Sequence, residues 1–163
     1  MTPPIRSLTF TSELDAPADR VWESVGTMEG VNHELAPWLR MTSPPEASGL
    51  RIEDAPLGRP LFSSWVLLAG VLPIDRHHFK MAEIERGRGF VEDSVSWSQR
   101  RWEHRRHVET RGDAACLLTD RLIFTPRVGA AGPMLEYVIG AIFRHRHRRL
   151  RARFGGAGTR VLV

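Results

Sequence analysis

Seven apolar residues recur at helical spacing near the end of the chain: Leu135, Val138, Ile139, Ile142, Phe143, Leu150 and Phe154. The stretch opens at Pro133, stops at Gly155-Gly156, and predicts a helix of about 22 residues, roughly 33 Å long. A helix that long with a single apolar stripe needs an apolar surface of matching length to lie on. With 163 residues, 42% of them hydrophobic, the chain is sized for one domain with one core, spanning 1–163.

The surface is expected to be a sheet. Leu8 and Phe10 alternate with small polar residues between Ser7 and Leu14, the period of a half-buried strand. Asp15-Ala-Pro17 ends it and opens a short helix through Arg20–Val25, with Val21, Trp22 and Val25 buried. Gly26–Met41 holds a second short helix interrupted at Pro37, and Pro44-Pro45 and Gly49 mark a loop. The continuous apolar run of residues 61–74 fits a buried strand or a short helix, and strand is the better fit. An antiparallel meander then follows: His78–Glu85, Phe90–Trp97, Arg101–Glu109 and Ala115–Thr125. Gly87–Gly89, Ser98–Arg101 and Arg111–Asp113 supply its turns.

The order strand, two short helices, antiparallel meander and long C-terminal helix implies an α+β fold in which a curved sheet wraps around the helix. Over nearly its whole length the chain resembles the helix-grip superfamily, also called START-like or SRPBCC. That superfamily includes polyketide cyclase/dehydrase-like proteins and lipid-transfer domains. Carrying the resemblance are Glu13-Leu-Asp-Ala-Pro-Ala-Asp-Arg-Val-Trp22, Trp102-Glu-His104, Asp120-Arg-Leu-Ile-Phe-Thr-Pro126 and Phe143-Arg-His-Arg-His147. It implies a cavity between sheet and helix that accepts a hydrophobic or amphipathic small molecule such as a lipid, a quinone or a polyketide-like compound. Fold alone does not choose among carrier, sensor and cyclase.

Strand alternation gives a register. A three-residue loop at Arg111–Asp113 sets Val108 opposite Cys116, Trp102 opposite Leu122 and His104 opposite Asp120. A four-residue loop at Ser98–Arg101 sets Trp97 opposite Trp102 and Asp93 opposite Arg106. The expected cavity wall is then apolar, from Trp65, Trp97, Trp102, Phe124, Ile139, Ile142 and Phe143, around a polar patch of His104, Asp120, Asp93 and Arg106. Buried charge is tolerable only when paired, so His104 is expected with Asp120 and Arg106 with Asp93. The patch holds strands in register, binds the polar end of a ligand, or uses His104 with Asp120 as an acid/base pair.

Several function classes find no support. Cys116 stands alone, which excludes an internal disulfide framework, fits a reducing, cytoplasmic setting, and reads as a small buried hydrophobe. Neither Cys116 nor Ser63-Ser64 carries the flanking signature of a nucleophile. No phosphate loop appears, so no nucleotide or other cofactor is expected, and His77-His78 and His145-x-His147 lack the companions of a metal site and are expected to be exposed. Six arginines lie between Arg144 and Arg153. That cluster reads as a solvated helix face complementing the helix dipole, or as a patch for an anionic membrane surface or a protein partner. Without aromatic interleaving, nucleic acid is disfavoured.

Overall fold

The computed structural model describes residues 3–162. Strand β1 (Arg6–Leu14) turns Leu8, Phe10, Ser12 and Leu14 inward. Pro17 opens helix α1 (Ala18–Val25), whose first turn carries Asp19 and whose buried stripe is Val21, Trp22 and Val25. Helix α2 (Met28–Leu35) begins at Thr27, whose hydroxyl accepts the Gly30 amide at 3.0 Å. Only glycine fits at Gly30, where an added Cβ would lie 1.7 Å from the Ser24 carbonyl oxygen. Asn32 then ties α2 to the short strand β2 (Leu39–Met41) with one bond to the Met41 carbonyl and one from its amide. Two 3₁₀ turns, Pro45–Ala47 and Ile52–Asp54, lead to the remaining strands.

These are β3 (Pro60–Leu68), β4 (Leu72–Glu85), β5 (Gly89–Ser96), β6 (Gln99–Thr110) and β7 (Cys116–Pro126). Helix α3 (Gly132–Phe154) follows, and β8 (Thr159–Leu162) completes the described chain. The sheet order is β2-β3-β4-β5-β6-β7-β1-β8, with antiparallel neighbours. The sheet wraps around α3, as expected of a helix grip. The apolar run at 61–74 is strand, but it holds two of them: Ala69 and Gly70 adopt positive φ and fold it into a hairpin. β8 has no counterpart in the sequence reading. Gly155 and Gly156, both at positive φ, stop α3 and send the chain back along β1.

Two register expectations need correction. Between β6 and β7 the loop takes five residues, Arg111–Ala115, closed by the Arg111 amide on the Ala115 carbonyl at 2.9 Å. His104 therefore faces Leu122 and Arg106 faces Asp120, a slip of two that leaves every side chain on its expected face. Between β5 and β6 the slip is three, because Asp75 draws Ser96 and Ser98 into a tight turn and a bulge follows between Gln99 and Arg101. An odd slip reverses faces. Glu92, Ser94 and Ser96 point inward, while Asp93 faces Glu103 on the outside.

The core has two apolar ends and a polar middle. At one end Leu14, Val21, Trp22, Val25, Val108, Leu118, Leu150 and Phe154 pack together, and at the other Leu8, Phe10, Leu122, Phe124, Ile139 and Phe143. Between them β1, α2, β6, β7 and α3 contribute polar side chains: Ser12, Glu34, His104, Arg106, Asp120, Arg146 and His147, all buried. Of these, His104, Arg106 and Arg146 line a cavity.

Candidate ligand cavity

A cavity of about 310 Å³ lies between the sheet, α2 and α3, at the small end of the range for ligand pockets. Its walls are mostly apolar: Leu35, Phe62, Val66, Phe79, Phe90 and Trp102 face Leu135, Val138, Ile139, Ile142 and Phe143 of α3. Ile74 and Val138 line it and are also exposed, which places an entrance beside them.

The polar belt forms one wall. Arg106, 2% exposed, is its centre and grips two carboxylates: Nη1 and Nη2 donate to Glu34 at 2.7 and 2.9 Å, and Nε and Nη2 donate to Asp120, each at 2.7 Å. Arg146 Nε donates to the same Glu34 at 2.8 Å. Asp120 also accepts from His104 Nε2 at 2.7 Å and His147 Nε2 at 3.0 Å, while His147 Nδ1 meets Ser12 Oγ at 2.8 Å. Glu92 bonds His77 Nε2 at 2.5 Å, and its other oxygen is 3.7 Å from His104 Nδ1, beyond hydrogen-bond reach. Burial alone would raise all three carboxyls. The neighbouring cations prevail, holding Glu34 below its usual range through Arg106 and Arg146, Asp120 well below through Arg106 and His104, and Glu92 far below through His77 and His104.

Of the residues expected at this wall, Trp102, His104, Arg106, Ile139, Ile142 and Phe143 line the cavity, and Asp120 sits directly behind His104 and Arg106. Phe124 is buried beneath Trp102, 6.2 Å between ring centroids, so it supports the wall without lining it. Three residues lie elsewhere. Asp93 points outward to Lys80 at 2.9 Å, so Arg106 takes Glu34 in its place. Trp97 is 58% exposed and meets Trp65 edge-on at 4.9 Å on the outer face, where Arg76 covers Trp65. The reversal of β5 explains Asp93 and Trp97. Trp65 follows from alternation on β3, where Phe62 and Val66 take the inner positions.

Glu34, His77, Glu92, Arg146 and His147 were not foreseen at the wall, and two of them had a visible signal. Arg146 and His147 fall three and four residues after Phe143, on the stripe that continues to Leu150. The expectation of an exposed His145-x-His147 pair thus fails at both: His147 is fully buried, and His145 is half-buried with Nε2 2.8 Å from the Ala36 carbonyl oxygen. His77 is also largely buried, against Glu92, whereas His78 bonds Ser63 Oγ at 2.7 Å. Nor do the arginines form one free face: Arg146 is inside, Arg149 bonds the His33 carbonyl, and Arg151 bonds Ser12 and Thr159. Cys116 is buried, and burial raises its thiol to about 11. Among the described residues no cluster of potential metal ligands occurs, and no helix is long and apolar enough to cross a membrane.

A family model, a domain of unknown function (DUF8410), matches residues 12–154. The chain belongs to that family. No curated protein matches it in sequence. Solved structures similar to this DUF8410 chain include the Zhui aromatase/cyclase from Streptomyces sp. R1128, with 14% identity, a TM-score of 0.69, and 92% of this chain and 93% of that chain covered. A START superfamily protein from Mycobacterium smegmatis gives 14%, 0.65, 91% and 97%. A conserved protein from Geobacillus kaustophilus gives 10%, 0.62, 91% and 94%. At these identities the likeness is one of fold, and the fold is START-like.

Proposed function

We propose that the cavity binds a hydrophobic or amphipathic small molecule and that the His104–Arg106 wall orients its polar end. The observation that carries this reading is the combination in one cavity of about 310 Å³, open beside Ile74 and Val138, of mostly apolar walls with a paired, buried charge cluster. A chain selected only for stability gains more by filling such a space, because unfilled volume costs packing and a buried ion pair is often replaceable by apolar groups. The fold neighbours add support, since one is named an aromatase/cyclase and another a START superfamily protein. Native mass spectrometry of freshly purified protein, followed by solvent extraction, is expected to show a co-purifying apolar compound. Titration of the stripped protein with an aromatic probe is expected to change tryptophan emission in wild type and much less in Trp102→Phe. No response to any lipid, quinone or aromatic polyketide counts against the reading.

One observation favours a second reading, an enzyme of cyclase or dehydrase type. The Asp120 carboxylate anchors His104 Nε2 and holds the ring at the cavity wall with Nδ1 3.7 Å from Glu92, a geometry suited to moving a proton to or from a carbon next to a carbonyl. In this reading His104→Gln abolishes turnover and leaves binding largely intact. Loss of both together favours the carrier.

A further inference from the structure

The belt leaves one cation partly unanswered. Arg146 is 8% exposed and lines the cavity, and its Nε donates to Glu34 at 2.8 Å, but among the described residues no acceptor reaches its Nη1 or Nη2. Glu34 is already occupied: Oε1 accepts from Arg106 Nη1 at 2.7 Å, and Oε2 accepts from Arg106 Nη2 at 2.9 Å as well as from Arg146 Nε. Asp120 is taken by Arg106, His104 and His147, and Glu92 by His77. Gln99, also on the cavity wall, adds a second donor without a partner in its carboxamide nitrogen. Buried donors left without partners are costly, most of all on a charged group, unless something from outside the chain completes them.

The free edge of Arg146 is held in place. Glu34 fixes one side of the guanidinium, and the Phe143 ring, with its centroid 4.7 Å from Cζ, lies against its face. What remains is Nη1 and Nη2 side by side, a fork that matches the two oxygens of a carboxylate. Arg146 stands at the buried end of the wall that α3 gives the cavity, and Ile142, Ile139 and Leu135 continue that wall along the helix. Val138, beside the entrance, lies eight residues before Arg146, about 12 Å along the helix axis.

We infer that the ligand is an elongated apolar acid whose carboxylate is gripped by Nη1 and Nη2 of Arg146 and whose apolar body runs along Ile142, Ile139 and Leu135 toward the entrance. This inference rests on the ligand-binding reading of the cavity and deepens it, since it makes the polar end of the ligand an anion and names the side chain that holds it. An alcohol with the same apolar body offers Arg146 one neutral oxygen in place of two that share a charge, so the two compounds separate the grip of Arg146 from the burial of the body.

Calorimetric titration of the stripped protein with two matched pairs tests it: decanoate against decan-1-ol, and biphenyl-4-carboxylate against biphenyl-4-ylmethanol. In the pair whose body fits, the carboxylate is expected to bind roughly tenfold more tightly than the alcohol. Arg146→Gln removes the cation and Arg146→Lys keeps it without the fork, while Glu34 retains both bonds from Arg106 in either variant. Arg146→Gln is expected to bring the ratio of carboxylate to alcohol affinity close to one with the alcohol unchanged, and Arg146→Lys to restore part of it. Arg144→Gln, which removes an exposed arginine of the same helix and the same net charge, is expected to leave the ratio as it is in wild type. Equal affinities within both pairs in wild type, which needs no variant to fold, overturn the inference but leave the cavity reading standing. A ratio that survives Arg146→Gln, or one that Arg144→Gln abolishes equally, does the same. Failure of all four probes to bind overturns both.

Discussion

At the scale of single residues, Arg106 decides the most. Among the described residues its guanidinium is the only group that hydrogen-bonds both Glu34 of α2 and Asp120 of β7, and it does so with forked hydrogen bonds while buried. Arg106→Met keeps the length and apolar stem but leaves two carboxylates facing each other across the vacated site. Removing one partner of a buried ion pair typically costs about 3–5 kcal/mol. Urea unfolding of this variant is expected to show a loss of that size, and Arg106→Lys to recover only part of it, because an ammonium cannot fork to two carboxylates. A loss below about 1 kcal/mol, the level of an exposed pair, would place Arg106 in solvent. The sequence already marked Arg106, His104 and Asp120 as inward, since each alternates with outward residues on its strand. Their partners were less legible, because Glu34 comes from a helix far away in the chain and no local pattern encodes that contact.

At the scale of elements, legibility followed period. α3 was readable almost to the residue because its stripe repeats over six turns between a proline and two glycines. The meander was readable as strands but not as a register, and the reason is arithmetic. A turn misjudged by two residues, as at Arg111–Ala115, preserves every face, so the inward set of β7 was correct despite the slip. At Ser98 the shift was odd, and it moved Asp93 and Trp97 out and Glu92 in. What fixed that turn is tertiary: Asp75 of β4 binds Ser96 and Ser98 across the sheet. β8 shows the same limit. Thr159–Leu162 is too short to carry a period of its own and becomes a strand because β1 offers it an edge.

At the scale of the whole molecule, the polar belt makes stability depend on proton binding. Glu34, Glu92 and Asp120 have folded-state values below the ordinary 4.5, 4.5 and 3.8. For carboxyls depressed in this way, the native state resists protonation and the unfolded state binds protons more readily. Their stabilisation is therefore fully present above the ordinary values and is lost as pH falls through the lower folded ones. Facing them across the belt are Arg106, Arg146, His77, His104 and His147. Chemical denaturation from pH 7 to pH 2.5 is expected to show a steep fall that begins below about pH 4.5, with each of the three carboxyls adding up to about 1.4 kcal/mol per pH unit to the slope. Glu92→Gln removes one titrating carboxyl from the cavity wall and is expected to flatten that slope by one such increment. Because the same residue touches the cavity, a bound ligand that donates to Glu92 adds to the preference for the ionised form and carries the midpoint of acid unfolding lower. An acid limb as shallow in wild type as in Glu92→Gln, with or without ligand, would mean that the belt is not ionised in the folded protein, and the orienting role given to its wall would fall with it.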